Sequence, residues 1–304
     1  MSEQTAAPEW FTRAIAAPAE SRFTEVDGTR IHYLAWNAAD AHKPALLFAH
    51  GFRAHARWWG FIAPFFLSRF RIFSLDFAGM GDSGNRPEYL PLGFARDIIG
   101  VLDHAGVAKA TLIGHSFGGG RVARASAEFP ERVTRAIIID SHMRLSDEKR
   151  STRPFEIGPR RVYPTFEAAR ARFRLVPPEN RTAPYILDYV ARHSLKEIEG
   201  GWTWKFDERL MPKHDDARAR DILGAIQAPV TFIYGDASAI VSRQHAHDIV
   251  SCFRNGHGPI AIPESHHHVL LDQPLSLVAA LRAVLLSVPS RIPGPRSVPL
   301  PPRS

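Results

Sequence analysis

The sequence predicts an α/β protein in which helices cover a mainly parallel sheet. Two observations lead to this prediction. Short runs of β-branched and other apolar residues alternate along the chain with longer segments that suit helices, the order expected of strand–helix–strand units. The chain has 304 residues, of which 45% are hydrophobic and 23% charged, so it has the composition of a globular protein and can bury a large core as one elaborated domain.

Eight strands and four main helices are predicted. Residues 22–36 suit a hairpin with Asp27-Gly28 at its turn, because Asp-Gly is a favoured two-residue connection between antiparallel strands. Six further strands are predicted at 44–51, 70–77, 109–116, 134–141, 228–236 and 258–264. Helices are predicted between or after these strands, at 92–106, 118–129, 242–253 and 273–287.

One interval interrupts this alternation after the sixth strand. Residues 142–227 contain much charge, several prolines and no run typical of a buried strand, so we predict a mainly helical cap there. The core is then formed by residues 20–141 and 228–288, with residues 1–19 as an N-terminal extension. Residues 289–304 are rich in proline and poor in apolar side chains, so we predict that this tail is disordered.

Composition and charge argue against several classes of protein. The net charge of +7 comes from dispersed arginines rather than a dense basic stripe, so we expect no nucleic-acid partner. No apolar run approaches the roughly 20 residues that span a bilayer, and the N-terminus lacks the pattern of a secretory signal. Cys252 is the only cysteine, which excludes an internal disulfide and indicates a reducing cytoplasm. The oligomeric state leaves no trace in the sequence.

The strongest chemical signal is the stretch "LIGHSFGGGR" at residues 112–121. Gly114, Ser116 and Gly118 form a G-x-S-x-G pattern between a predicted strand and a predicted helix, which is typical of a nucleophile elbow. In such an elbow the sharp turn exposes the serine hydroxyl, and the following helix directs its N-terminal amides toward it. Because the bare pattern occurs by chance in roughly one chain in ten of this length, its context decides the interpretation.

Two other segments supply that context. His50-Gly51 ends an earlier strand, and the loop beyond it is expected to offer the Phe52 amide to an oxyanion, with the Phe117 amide as the second donor. Near the C-terminus, "IPESHHHVLLDQP" places three histidines at 266–268 just before a helix. A metal site in this triplet is disfavoured, because neighbouring side chains diverge and no acidic or cysteine ligands stand at a suitable spacing.

With these motifs in order, the chain resembles the α/β-hydrolase superfamily over nearly all of residues 20–287. "FAHGF", "DFAGMGDSG", "GHSFGG" and "HHVLLDQP" follow the family's order and spacing. The resemblance implies that the catalytic histidine stands five residues before the acid of the D-x-P element, which is Asp272 here. That histidine is His267, with His266 and His268 as alternatives.

The catalytic acid departs from the family's commonest pattern. The resemblance places it three residues after the glycine of "PVTFIYG", where this chain has Ser238. A serine cannot stabilise an imidazolium by charge, so the carboxylate must come from elsewhere. Some relatives place it at the end of the preceding strand, which makes Asp140 the candidate and Asp236 its rival. The order serine, aspartate, histidine holds with either residue.

The sequence therefore predicts a serine hydrolase that acts on a small carboxylic ester through an acyl-enzyme intermediate. Ser116 is the nucleophile, His267 the base and Asp140 the acid. The alternatives are a thioester, lactone or carbon–carbon bond hydrolase on the same triad, or a non-catalytic protein that binds a small molecule. No cofactor or metal is implied.

The substrate pocket is expected to border the oxyanion loop and the cap. His50, Trp58 and Trp204 are the pocket candidates. For each of them the alternative is structural: His50 shapes its loop, and the two tryptophans pack in the core or the cap.

Overall fold

The computed structural model describes residues 6–145, 161–178, 180–210 and 219–286. Its strands are β1 (Glu20–Val26), β2 (Thr29–Trp36), β3 (Ala45–Ala49), β4 (Arg71–Leu75), β5 (Ala110–His115), β6 (Val133–Ile139), β7 (Leu195–Ile198), β8 (Gly201–Trp204), β9 (Val230–Gly235) and β10 (Gly256–Ile262). Its α-helices are α1 (Glu9–Ile15), α2 (Pro91–His104), α3 (Phe117–Glu128), α4 (Phe166–Arg170), α5 (Pro184–His193), α6 (Ala219–Ala225), α7 (Arg243–Ser251), α8 (Val269–Asp272) and α9 (Pro274–Leu286).

Eight strands form one sheet in the order β1-β2-β4-β3-β5-β6-β9-β10. The pairings from β4 to β10 are parallel, and only β1 with β2 and β2 with β4 are antiparallel. The predicted mainly parallel eight-stranded sheet is confirmed. The predicted hairpin turn is also present, since Asp27 and Gly28 have φ angles of 48° and 71°, the left-handed values that this type of turn requires.

The central strands are apolar along their whole length because helices cover both faces of the sheet. Neighbouring side chains of β3 point to opposite faces, so Leu47 packs in one core cluster and Phe48 in the other. The first cluster includes residues of α2 and α3, and the second includes residues of α9. Burying each such side chain contributes about 1.5–3 kcal/mol, so both layers stabilise the sheet.

The N-terminal extension includes one element that the sequence analysis did not predict. Helix α1 begins after Pro8 and buries Phe11 in the second core cluster. The Phe11 ring lies 4.8 Å from that of Tyr185 in α5 and 5.5 Å from that of Phe61, measured between ring centroids. The extension therefore joins the sheet-covering layer to the region between β6 and β9.

The region between β6 and β9, called the insertion below, contains α4, α5 and α6, but also an antiparallel pair. The expectation that residues 142–227 hold no strand is wrong, because β7 and β8 form a hairpin within them. Glu199 and Gly200 form the turn, and Gly200 has a φ angle of 84°, which other residues rarely adopt; Gly201, with φ 138°, begins β8 and pairs with Ile198. The two strands are four residues long and only partly buried, so they lack the continuous apolar run that marked the core strands.

Two predictions fall partly or wholly outside the described residues. The predicted disordered tail, 289–304, lies beyond them, as do residues 146–160 and 211–218 of the predicted cap. Among the helices that are described, none combines the length and the apolar character needed to cross a membrane.

Candidate active site

The serine of the G-x-S-x-G motif lies at the sharp turn between β5 and α3. Ser116 has φ 53° and ψ −118°, a conformation that a residue with a side chain adopts only under strain. A Cβ on Gly114 would lie 2.5 Å from the carbonyl oxygen of Gly118, and one on Gly118 would lie 2.5 Å from that of Ala49. Larger residues would collide at both positions, so the close packing of this turn explains the glycines of the motif.

Three polar side chains from distant parts of the sequence form one hydrogen-bonded chain at the carboxyl edge of the sheet. Oγ of Ser116 lies 2.9 Å from Nε2 of His267, and Nδ1 of His267 lies 2.7 Å from Oδ1 of Asp140. Asp140 directly follows β6 and is fully buried, and His267 lies in the loop before α8. Because a carboxylate accepts the Nδ1 proton, Nε2 of the neutral ring is left to accept the serine hydroxyl proton.

Asp140 is held by two further donors. Its Oδ2 accepts a hydrogen bond from the Gly235 amide at 2.9 Å, and its Oδ1 accepts one from Oγ of Ser238 at 2.8 Å. Since the side chain has no exposed surface, these contacts satisfy a carboxylate that water cannot reach. They also fix the direction in which Oδ1 faces His267.

Ser238 therefore has a role that sequence reasoning missed. The resemblance implies an acid at this position, and the sequence alone shows only that a serine replaces it. Its hydroxyl donates to Asp140 and accepts the amides of Ile240 and Val241, both at 3.2 Å, so its orientation is set by the backbone. The position itself was the available signal, because a residue at the usual place of the acid must lie close to the histidine.

The rival residues are placed elsewhere. Asp236 is exposed, and its carboxylate is 3.4 Å from the amide of Ser265. The ring of His266 faces Asp272, with Nδ1 3.5 Å from Oδ2 of that carboxylate. The ring of His268 packs against Trp58 at 5.8 Å between centroids. Of the three candidate histidines, the structure brings only His267 into hydrogen-bond contact with both Ser116 and Asp140. His32 makes a similar pair of contacts, with Oγ of Ser21 and Oδ2 of Asp76, but Ser21 lies in β1 and not at the turn between β5 and α3.

The two residues predicted to offer oxyanion amides lie in the two segments that border Ser116. Phe117 is the first residue of α3, and Phe52 follows β3 in the neighbouring loop. Their rings are 5.7 Å apart, and a Cβ on Gly51 would lie 3.6 Å from Cβ of Ser116. The loop after β3 thus passes directly beside the serine, while the use of these two amides stays a prediction.

His50 holds this loop in place. Its side chain is buried, its Nδ1 donates to the Gly51 carbonyl at 2.7 Å, and its Nε2 accepts the Phe77 amide at 3.1 Å. Burial lowers the pKa of His50, which keeps Nε2 unprotonated and able to accept. Both ring nitrogens are therefore engaged by backbone groups, which agrees with the structural alternative for His50, while its place in the pocket stays a prediction.

The two tryptophans named as pocket candidates differ in their surroundings. Trp58 is buried and contacts His268, the residue next to His267, so it lies close to the hydrogen-bonded chain. Trp204 ends β8, and its ring contacts are with Tyr163 and Phe173, at 6.0 and 6.1 Å, within the insertion. The structure places Trp58 beside His268 and Trp204 among aromatic rings of the insertion.

His115 is a further buried residue that the sequence analysis did not single out. It precedes Ser116, and its Nε2 lies 2.8 Å from the carbonyl oxygen of His267, to which it donates. Burial, followed by the nearby charges of His267 and His268, holds the pKa of His115 well below its usual value. Burial, and then His267, lowers the pKa of His268 to about 3.

Comparison with known proteins defines the class to which this fold and site belong. The sequence model of the alpha/beta hydrolase fold family matches residues 44–274, which is most of the chain. The chain therefore belongs to the α/β hydrolase fold family.

Individual relatives agree with this class. The chain is 25% identical to the esterase Rv0045c of Mycobacterium tuberculosis over 274 residues, covering 86% of this chain and 88% of the relative. Two solved structures share its fold over 89% of this chain and 100% of theirs: E-2-(acetamidomethylene)succinate hydrolase, with a TM-score of 0.75 and 17% identity, and the thioesterase domain from the curacin biosynthetic pathway, with 0.72 and 20%. The family and the esterase relative together support hydrolase activity.

Proposed function

We propose that this protein is a serine hydrolase that cleaves small carboxylic esters through an acyl-enzyme intermediate. The observation that carries the proposal is the hydrogen-bonded chain of Ser116, His267 and Asp140 at a strained strand–helix turn. A strained backbone at a buried polar cluster is typical of functional sites, because strain that serves no purpose only destabilises the fold. The intact chain of three groups also argues against a protein that only binds its ligand.

The first half of the reaction forms the acyl-enzyme. Oγ of Ser116 attacks the carbonyl carbon of the ester while its proton moves to Nε2 of His267, and the Asp140 carboxylate stabilises the imidazolium. The carbonyl oxygen becomes an oxyanion, which we place against the amides of Phe52 and Phe117. When this intermediate collapses, His267 returns the proton to the departing alcohol, and the acyl group remains on Ser116.

The second half releases the acid. A water molecule gives a proton to His267 and attacks the acyl carbonyl, and collapse of the new oxyanion breaks the bond to Ser116 as His267 reprotonates the serine. We assign Ser238 as a positioning residue in both halves. Its hydrogen bond holds Oδ1 of Asp140 toward His267, so it acts on the reaction only through the aspartate.

We propose that the insertion caps this site. Three contacts attach it around the carboxyl edge of the sheet: the Arg181 amide donates to Asp272 at 2.9 Å, the Gly81 amide donates to the Lys205 carbonyl at 2.8 Å, and Lys205 pairs with Asp82 at 2.7 Å. A cap tied to these loops would select the substrate by shape and exclude water. A small-molecule acyl substrate is the partner that this arrangement suits, and the lone Cys252 favours the cytoplasm as its location.

The proposal is tested by the kinetics of ester hydrolysis. Wild-type protein mixed with p-nitrophenyl acetate should release a burst of nitrophenol, about one equivalent per protein where deacylation is slower than acylation, and then turn over steadily. Ser116→Ala should lose on the order of 10⁴ in kcat or more, because removing a triad member costs that much in serine hydrolases. A Ser116→Ala rate within about tenfold of wild type would remove the basis of the proposal.

The same assay across acyl esters, thioesters and lactones identifies the preferred bond. We expect the highest kcat/KM with short-chain carboxylic esters. A protein that binds these compounds with no burst and no turnover would instead be a small-molecule-binding member of the family.

A further inference from the structure

Three histidines meet beside Ser116 although the sequence separates one of them widely from the others. The ring centroids of His115 and His267 are 5.0 Å apart, those of His267 and His268 are 5.1 Å apart, and those of His115 and His268 are 6.0 Å apart. One nitrogen from each ring lies within 4.8 Å of the other two. His266 is not part of this cluster, because its ring turns toward Asp272.

Nδ1 of His115 has no hydrogen-bond partner among the described residues, although that residue is only 1% exposed. His268 is 5% exposed, and the carbonyl groups of Val176 and Pro177 lie beside its ring, so one ring nitrogen can donate to them while the other stays free to accept. Leaving a buried polar atom unsatisfied costs about 1–3 kcal/mol, and such atoms call for an explanation when they adjoin a reactive group. Imidazole nitrogens grouped this closely can ligate a metal ion when they are unprotonated.

We propose that His115, His267 and His268 form an inhibitory binding site for a divalent transition-metal ion of the Zn²⁺ type. Three imidazoles without a carboxylate in the set suit Zn²⁺, Co²⁺, Ni²⁺ or Cu²⁺, and they do not suit Mg²⁺ or Ca²⁺, which prefer oxygen. Zn–N bonds of about 2.0–2.1 Å place the nitrogens of a tetrahedral site about 3.4 Å apart, so nitrogens that lie within 4.8 Å of one another need to approach by at most about 1.4 Å. A water molecule completes the fourth position.

The ion would inhibit because it needs the same electron pair as the proposed reaction. Nδ1 of His267 is held by Asp140, so Nε2 is the nitrogen that can turn from Ser116 to a metal. Once Nε2 coordinates the ion, it cannot accept the serine proton. Binding of the metal follows from the three rings alone, whereas inhibition rests on the proposed function as well.

Binding is measured first and without any substrate. Tag-free protein is titrated with Zn²⁺ by calorimetry and with Co²⁺ by visible absorption, whose bands report tetrahedral coordination. We expect one saturable site per chain in the wild type and in Ser116→Ala, because the serine is not a ligand. If neither protein shows a saturable site, the proposed site does not exist, whatever the outcome of the ester assay.

Matched variants then locate the ion. His268→Phe keeps a flat ring of similar size and should weaken Zn²⁺ binding by more than the 10- to 100-fold that loss of an outer-shell partner costs. His266→Phe, one residue away but outside the cluster, should bind as the wild type does. His115→Gln serves if His268→Phe does not fold, since it retains an amide donor for the His267 carbonyl and lacks Nδ1. Unchanged affinity in both cluster variants would move the ion elsewhere, for instance to His32, Asp76 and Asp82, and would overturn the proposal.

Inhibition is read as the ratio of ester turnover with Zn²⁺ to turnover after chelation, so each variant is its own reference. The ratio should fall below about 0.1 in the wild type and in His266→Phe, and it should stay near 1 in His268→Phe. If Zn²⁺ binds at one site but all three proteins keep a ratio near 1, the ion does not engage Nε2 of His267, and the proposal of an inhibitory site is wrong even though the ester hydrolysis stands.

Discussion

Replacing Asp140 by asparagine isolates the part that negative charge plays in the site. Asparagine keeps the shape of aspartate, so the packing of the buried side chain should change little. The carboxylate accepts hydrogen bonds from His267, Ser238 and the Gly235 amide, all between 2.7 and 2.9 Å. The amide of asparagine retains one oxygen, so its NH₂ group must face a donor, and no charge remains to stabilise the imidazolium.

The expected effect is a fall in kcat of roughly 10³–10⁴ with little change in KM, as seen when a triad aspartate becomes asparagine in serine proteases. At 1.36 kcal/mol for each factor of ten, this corresponds to about 4–5 kcal/mol of transition-state stabilisation. Steady-state hydrolysis of p-nitrophenyl acetate measures kcat and KM, and the thermal midpoint checks that the variant remains folded.

Two comparisons make the result specific to Asp140. Asp236→Asn changes an exposed carboxylate and should stay within about tenfold of wild type. Ser238→Ala removes one hydrogen bond to a charged acceptor, worth about 1.5–3 kcal/mol, so its kcat should fall by at most about 100-fold at similar KM. Ser238→Thr keeps the hydroxyl and should restore most of that loss.

The opposite ranking would refute the reasoning. If Asp236→Asn lost more activity than Asp140→Asn, the acid would belong to the loop after β9. If both variants remained active, Ser116 and His267 would work largely unaided, and the assignment of a triad would be wrong.

Two further predictions concern the insertion. His55 contacts Ser194 and the Val190 carbonyl of the insertion. Burial lowers the pKa of His55 to about 3, so its ring is neutral in the folded protein at pH 5. In the unfolded chain the ring becomes protonated below about pH 6.5. The contribution of His55 to stability should therefore be lost from pH 6.5 toward pH 3, by about 2 kcal/mol at pH 5. Urea unfolding of His55→Gln should show a fall that is smaller than in the wild type by that amount, and an equal fall would exclude His55 as a source. In limited proteolysis, the first cuts should lie in 142–227 or after Pro289, and a covalent inhibitor should slow those in 142–227. Early cuts within 109–140 would contradict the proposed architecture.

The core of the fold was predictable because its signals are local. A strand buried on both faces must be apolar along its length, as in "ALLFA" of β3, and Asp27-Gly28 marks a hairpin turn by its backbone preference alone. The hairpin of β7 and β8 was missed because its short strands are only partly buried. Helix α1 was missed because Phe11 acquires its burial from Phe61 and Tyr185, which the sequence does not place beside it.

The candidate site likewise contains residues that the sequence could identify and contacts that it could not. Ser116, His267 and Asp140 could be named because each belongs to a short motif or strand end whose position the fold determines. The hydrogen bond from Ser238 to Asp140 spans 98 residues, and the contact between His115 and the carbonyl of His267 spans 152. For Ser238 the sequence offers only its position at the usual place of the acid, and for His115 it offers no signal. Both hydrogen bonds depend on how neighbouring strands bring their ends together, so they emerge only when the tertiary structure is known.

The central claim is that Ser116 is the activated nucleophile, and covalent labelling tests it most directly. A fluorophosphonate probe reacts with a serine whose hydroxyl is activated by a neighbouring base, and peptide mass spectrometry identifies the residue that carries the adduct. We predict one adduct per chain, on Ser116 alone, with labelling lost in Ser116→Ala and strongly slowed in His267→Ala. An adduct on another serine, or undiminished labelling of Ser116→Ala, would contradict the account.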